Sequence, residues 1–276
     1  MTTEASATWH DVDVLRVRDG ARDAGRDQVA TEAPLEIRLH GQRFVLTMRT
    51  PGDDPALAAG FLLSEGVIGS RDDLAAVAQP QPGDGHAEPG VVDVVLRGVA
   101  LARLPETLAG RRHVTATSAC GVCGRPSADA LEFAAAPVDA AWRIPAAVLT
   151  RMPGALRTHQ AVFDQTGGLH AAGVFTVEGR LVEMAEDVGR HNAVDKVFGR
   201  LLLQGALPLS SHVLCVSGRA SFELVQKAVR AGVGMLVAVS APSSLAVELA
   251  RSRNLTLAGF VRDGGCNVYT HPHRVA

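Results

Sequence analysis

The sequence predicts an α/β protein in which a C-terminal α/β sheet domain follows a smaller α+β N-terminal domain. Three observations carry that expectation. From residue 180 onward, short apolar runs alternate with amphipathic stretches, the pattern of a sheet joined by helical crossovers. Before residue 100, a period-two hairpin pattern leads into a capped helix and then an apolar run. The chain has 276 residues, 47% of them hydrophobic, enough for a substantial core in one large or two smaller domains.

Taken in order, residues 1–30 read as a flexible tail, polar and carrying charges of both signs. Residues 31–138 read as the N-terminal domain. Leu35-Glu36-Ile37-Arg38-Leu39 alternates apolar and polar side chains, His40-Gly41 turns the chain, and residues 43–49 return as a second strand. Asp53 or Asp54 is placed to cap a helix with Pro55 at its first position, and Leu57, Gly60, Phe61 and Ser64 follow at helical spacing. Residues 79–90 form a Pro/Gly-rich loop and residues 91–96 a buried-type strand. Residues 111–125 read as a loop holding two cysteines, and the small-residue run 134–141 marks the boundary to a C-terminal domain over 139–276.

That second domain has a steadier rhythm. Residues 180–184 read as a strand. Asn192 starts a helix with Val194, Val197, Phe198, Leu201 and Leu202 on one face. A strand at 212–216, a helix at 221–231, a strand at 235–239, a helix at 243–251 and strands at 255–261 and 266–270 complete it.

Composition excludes several function classes. A net charge of −2 and a pI near 6.5 give no global basic field for nucleic acid. Aromatic residues at 4% leave no stacking platform for single strands. Four cysteines in this length make no disulfide framework and fit a reducing compartment. Residues 1–25 lack the apolar segment of a secretory signal. The apolar runs are far shorter than the roughly 18 residues of a membrane span. A soluble cytoplasmic protein, with neither nucleic acid nor membrane as partner, is the expectation.

The chemistry concentrates in Ser118-Ala119-Cys120-Gly121-Val122-Cys123-Gly124. Two thiols two residues apart, each followed by glycine, can bind a soft metal, exchange disulfides or carry sulfur. A structural zinc site needs four protein ligands, and no second such pair exists; Cys215 and Cys266 are isolated, the former mid-strand and read as packing. A zinc deaminase would place His-x-Glu on a helix upstream of Pro-Cys-x-x-Cys. His86-Ala87-Glu88 is present, but in the Pro/Gly-rich loop, and Ala119 stands where proline is needed. Arg111, Arg112, His113 and Arg125 flank the cysteines. Positive charge there lowers a thiol pKa and would stabilise an anionic persulfide; solvated surface arginines are the plainer alternative.

A second cluster lies in the strand-end loops, where open α/β sheets bind ligands. These are residues 187–192, 217–221, 240–244 and 262–265. Their arginines and hydroxyl-capped helix starts favour phosphate groups, against the plainer reading of ordinary caps and turns.

These segments together resemble the FdhD/NarQ family of formate dehydrogenase accessory sulfurtransferases. The resemblance rests on Glu32-Ala33-Pro34-Leu35-Glu36-Ile37, Ala59-Gly60-Phe61-Leu62-Leu63-Ser64-Glu65-Gly66, the cysteine motif, Asp187-Val188-Gly189-Arg190-His191-Asn192-Ala193-Val194-Asp195-Lys196, Ser217-Gly218-Arg219-Ala220-Ser221, Ser240-Ala241-Pro242-Ser243-Ser244, Phe260-Val261-Arg262 and Asn267-Val268-Tyr269. It implies a cytidine deaminase-like α/β fold for the C-terminal domain, without deaminase activity. It implies a persulfide loaded onto Cys120 by a cysteine desulfurase, with Cys123 assisting the relay. The sulfur then passes to a bound molybdenum bis(molybdopterin guanine dinucleotide), carried as substrate with no intrinsic metal, before that cofactor enters the formate dehydrogenase apo-enzyme. The family's cofactor-contacting segment falls on Phe260, Val261, Arg262, Asp263, Gly264 and Gly265, and the strand-end loops add Ser217, Arg219 and His191. A homodimer is also implied. Asp263 and Cys266 depart from the family pattern, which has glycine and an apolar residue there; a carboxylate beside phosphates is unfavourable unless it faces away or meets a guanine edge. Two other readings stand beside the carrier: a chaperone that holds the cofactor without transferring sulfur, and the zinc deaminase.

Overall fold

The computed structural model describes residues 7–81, 88–109 and 135–276. Its first element departs from the expected tail. Strands β1 (Trp9–Arg18) and β2 (Ala21–Ala30) form an antiparallel ribbon in register from Trp9↔Ala30 to Arg18↔Ala21. Asp19 and Gly20 at its tip have φ of 49° and 82°, the double left-handed conformation of a two-residue hairpin turn. The Asp and Arg residues threaded through both strands hide this signal, because alternation without an apolar face reads as solvated chain.

The hairpin expected next is present as β3 (Ala33–Leu39) and β4 (Gln42–Arg49), with His40 and Gly41 at positive φ in the turn. With β5 (Leu74–Ala78) and β6 (Val91–Leu96) they make a four-stranded sheet in the order β4-β3-β6-β5. Leu35, Ile37 and Leu39 share one face and are fully buried. Helix α1 (Asp54–Ser64) follows with Pro55 in its first turn; Asp53 is its N-cap position but makes no side-chain cap. Short helices α2 (Gly98–Ala102) and α3 (Leu104–Ala109) close this part.

Helices α4 (Ala146–Arg157) and α5 (Ala161–Thr166) and strand β7 (His170–Thr176) were not legible in the sequence. They lead into β8 (Leu181–Asp187), α6 (Arg190–Leu203), β9 (His212–Val216), α7 (Phe222–Arg230), β10 (Met235–Ala238), α8 (Ser244–Ser252), β11 (Thr256–Arg262) and β12 (Gly265–Val268). These lie within two residues of the expected bounds at their starts. The six strands form a mixed sheet, β12-β11-β10-β9-β7-β8. Pairs β9–β10 and β10–β11 are parallel, while β7–β8, β7–β9 and β11–β12 are antiparallel.

Both faces of this sheet are covered, so its strands are nearly continuous apolar runs. Leu214 and Val216 join the large core shared with α1, α6, α7 and the four-stranded sheet. Val213 and Cys215 point the other way, into a second cluster with Ile144, Leu149, Met152, Leu156 and Phe175. Helices α1 and α6 touch backbone to backbone. A Cβ on Gly60 would lie 1.8 Å from the carbonyl oxygen of Asp195, and one on Gly199 would lie 1.8 Å from that of Ala56. Glycine is required at both positions. Among the described residues no helix is long and apolar enough to cross a membrane.

Candidate functional site

Strand directions decide what meets at one sheet edge. The parallel strands β9, β10 and β11 all end there, at Val216, Ala238 and Arg262. The antiparallel strand β7 begins there at His170, opposite Asp187 at the end of β8. All four strand-end loops identified in the sequence therefore lie on the same side of the sheet.

Backbone hydrogen bonds stitch three of them together. The Ser240 amide donates to Gly218 O (3.3 Å), Ala220 N to Ala241 O (3.2 Å), Ser243 N to Ala220 O (3.0 Å) and Phe260 N to Ser240 O (3.2 Å). Ser243 caps α8, its Oγ accepting from Ala246 N at 3.3 Å. Ser217 has a supporting part: its amide donates to Ala171 O and its Oγ accepts from Ala171 N at 2.9 Å, locking β9 to the start of β7. His191 Nε2 lies 2.8 Å from a Glu223 carboxylate oxygen and 3.4 Å from Ser221 Oγ, joining the first turns of α6 and α7.

The loop before α6 is fixed from beneath by a buried carboxylate. Asp187 is fully buried and accepts from Thr50 N (3.1 Å), Gly189 N (2.8 Å) and Asn192 Nδ2 (3.0 Å), with Lys196 Nζ at 2.7 Å. Asn192 Nδ2 also donates to Met48 O at 2.7 Å, and Lys196 Nζ to Thr50 O at 2.8 Å. One helical turn on, Asp195 holds Lys227 Nζ at 2.6 and 2.8 Å and accepts from Ser64 Oγ at 2.6 Å. Neighbouring positions Asp195 and Lys196 thus serve two separate buried ion pairs, where the sequence reads as an ordinary helix surface.

The turn after β11 has an unusual backbone. Arg262 pairs with Gly265 across Asp263-Gly264, with Gly264 at φ 88°. The register slips between Gly259 and Arg262, and Phe260 sits at φ 52° with its side chain 41% exposed. A bulky residue at positive φ stores strain of the kind that collects at functional sites. Val261 turns inward and is fully buried, while Arg262, Asp263, Gly264 and Gly265 are exposed. Cys266 is partly buried, and burial raises its thiol pKa; the fully buried Cys215 is raised much further by the same cause.

Among the described residues, Arg190, Arg219 and Arg262 make no ion pair, and the three stand on three loops of this edge. His170 joins them from β7, a residue that sequence reasoning missed because its strand, rich in Ala and Gly, carried no strong pattern. Cys120 and Cys123, with Arg111, Arg112, His113, Arg125 and His86, lie outside the described residues. Glu88, the carboxylate of the deaminase reading, is engaged by the Arg38 guanidinium at 3.0 and 3.2 Å.

A mixed α/β protein with three arginines on the loops of one sheet edge and a Cys-x-x-Cys motif in its sequence defines the class. The chain belongs to the FdhD/NarQ family, which matches residues 30–276. It is 53% identical over 274 residues to the sulfur carrier protein FdhD of Streptomyces avermitilis, covering 95% of this chain and 94% of that one. It is 41% identical over 266 residues to the sulfur carrier protein FdhD of Saccharolobus solfataricus, covering 95% and 96%. Its fold matches a crystal structure described as a formate dehydrogenase accessory protein from Desulfotalea psychrophila. That match has a TM-score of 0.76 and 26% identity, and covers 98% of this chain and 100% of that one.

Proposed function

We propose that the protein is a sulfur carrier that serves formate dehydrogenase. It accepts a persulfide on Cys120 from a cysteine desulfurase and passes the sulfur to a molybdenum bis(molybdopterin guanine dinucleotide) held at the strand-end loops. Family membership over residues 30–276 and identities of 41–53% to sulfur carrier proteins support the carrier role. The single observation that carries the cofactor half is the set of arginines 190, 219 and 262 on one sheet edge, with no ion-pair partner among the described residues. Guanidinium groups without carboxylate partners are disposed to take phosphate oxygens in forked hydrogen bonds. The C-terminal sheet, read as cytidine deaminase-like, serves here as a scaffold whose strand ends present these groups.

Within this reading Arg262 and the exposed backbone of Asp263, Gly264 and Gly265 contact the guanine nucleotide end, and Phe260 offers an exposed ring beside them. Val261 contributes only backbone. Ser217 and His191 support the loops, through Ala171 and Glu223, and Arg219 reaches ligand directly. Cys123 accepts or resolves the persulfide. When bound, the molybdenum centre supplies the sulfur-accepting metal; the protein's own residues bind and orient its phosphate arms. A homodimer acting in the cytoplasm completes the proposal.

The test is intact mass spectrometry after incubation with cysteine and an active desulfurase under non-reducing conditions. One added sulfur, lost on reduction and absent from Cys120→Ala, is the expected result. No added sulfur on wild type would turn the reading to a chaperone that holds the cofactor, for which a Cys120/Cys123 double alanine variant would still rescue formate dehydrogenase in a deletion strain.

A further inference from the structure

A small pocket of about 170 Å³ opens between the start of β7 and the first turn of α6, lined by Glu32, Met48, His170, Gly189, Arg190 and His191. Three features of it point to one kind of ligand. Arg190 makes no hydrogen bond or ion pair among the described residues, and its Nε is shielded from solvent with no partner. A guanidinium N–H withdrawn from water and left unbonded is costly unless something else accepts from it. Neither ring nitrogen of His170 has a hydrogen-bond partner among the described residues. Helix α6, 14 residues long, begins at Gly189 without a side-chain cap, so its first free N–H groups and positive dipole end face this region.

Gly218 closes the side of the pocket. A Cβ there would lie 3.6 Å from His170 Nδ1 and 3.8 Å from Arg190 Cδ, so the pocket is continuous with the loop that carries Ser217 and Arg219. Of the three carboxylates nearby, two are committed, and the third, Glu32, lines the pocket on its solvent side. Asp187 is fully buried under four donors, Glu223 holds His191, and Glu32 is exposed and pairs with neither cation. A guanidinium and two imidazoles line it, with no Phe, Tyr or Trp among the lining residues. It suits one tetrahedral oxyanion.

We propose that Arg190, His170 and the first turn of α6 form a phosphate subsite, separate from the turn after β11, that takes a phosphate of the nucleotide-bearing ligand. The identity of that ligand rests on the functional reading above; the anion site does not. Burial, then the charges of Arg190 and His191, hold the His170 imidazole below its ordinary pKa, with Asp187 opposing them. An anion beside His170 opposes that shift by favouring the imidazolium. Binding is tighter on the acid side and is coupled to proton uptake at His170.

The experiment uses sulfate as probe on the full chain, because its charge is constant across pH 5.5–8 (its own pKa is about 2, far below any imidazole). Histidine imidazole titrations followed by NMR should show the His170 midpoint rising with sulfate. Arg190→Gln should weaken sulfate binding about ten-fold or more, the loss of a charge-assisted contact. If Arg190→Gln melts early, Arg190→Lys replaces it, keeping the charge but not the fork, and is expected to bind more weakly than wild type. GDP should displace sulfate from His170. A His170 midpoint insensitive to sulfate, or unchanged affinity in the Arg190 variants, would overturn the subsite. Sulfate bound at His170 but not displaced by GDP would overturn its assignment to a nucleotide phosphate. None of these readouts depends on Cys120, so a failed persulfide test and a failed subsite are told apart.

Discussion

Lys196 reaches from α6 to Asp187 at the end of β8, Nζ to Oδ2 at 2.7 Å, with both side chains almost wholly withdrawn from water. The pair sits directly beneath Arg190 and His191 and ties their loop to Thr50 in the N-terminal part of the chain. A buried ion pair contributes little net stability over a well-packed apolar pair, but it is destructive to break.

Asp187→Ala is therefore expected to destabilise the protein by about 3–5 kcal/mol, because Lys196 keeps its charge and loses its partner. Lys196→Ala should cost a similar amount. The double variant should cost much less than the sum, since neither uncompensated charge remains. Urea unfolding of the four proteins measures all three differences; strict additivity would show that the pair is not coupled.

Gly60→Ala and Gly199→Ala test the contact between α1 and α6. Each added methyl would fall 1.8 Å from a backbone oxygen of the facing helix, so the helices must separate. Overpacking of this kind costs about 1–3 kcal/mol and sometimes more. Thermal unfolding should show both variants melting well below wild type, whereas Gly154→Ala, with nothing near its Cβ, should melt no lower.

The acid side of the stability curve carries a histidine contribution. His212 is held below the ordinary imidazole value of 6.5 by burial first and Arg180 second, with Glu178 opposing. Below pH 6.5 the unfolded chain takes up a proton at this position before the folded one does, so stability is full above that pH and falls as pH drops toward the folded-state value. Denaturant midpoints from pH 8 to 5 should fall less steeply in His212→Gln than in wild type. Parallel curves would remove His212 from the pH dependence.

The two described cysteines differ from each other in burial. Burial raises the Cys215 thiol far above the usual range and raises Cys266 more modestly. In the folded protein iodoacetamide should leave Cys215 unmodified and label Cys266 slowly at neutral pH. Cys215→Ala should load sulfur as wild type does, at a cost in stability from the lost packing alone. Peptide mapping after a timed labelling pulse checks the order.

Much of the fold was legible because its signals are local. Residues 212–252 show apolar runs of four or five separated by Ser caps and Gly, and β9, α7, β10 and α8 formed within two residues of the expected bounds. Strand β7 was missed because His170-Ala171-Ala172-Gly173 is small and patternless; it becomes a strand by pairing on both sides, with β8 and β9. The β1–β2 ribbon was missed because charge alternation resembles solvated tail, although Asp19-Gly20 is a recognisable hairpin turn. At the site, the motif loops were legible as loops. Their division of labour was not. Ser217 bonds to Ala171 and His191 to Glu223, while the Arg190 side chain has no hydrogen-bond or ion-pair partner among the described residues.

The sequence by itself determined the family, the alternation of strands and helices in the C-terminal half, and the identity of the cysteine and arginine motifs, since each depends on residue types at short spacing. Only the tertiary structure decided which charges are buried and paired. Asp187, Lys196, Asp195 and Lys227 sit within ordinary-looking helix and strand ends, and what they do depends on partners up to 146 residues away, as with Thr50 and Lys196. Tertiary structure likewise brought His170 beside Arg190 and Gly218. Desolvation and pairing depend on distance in space, and spacing along the chain reports that distance only within one helix or one strand pair.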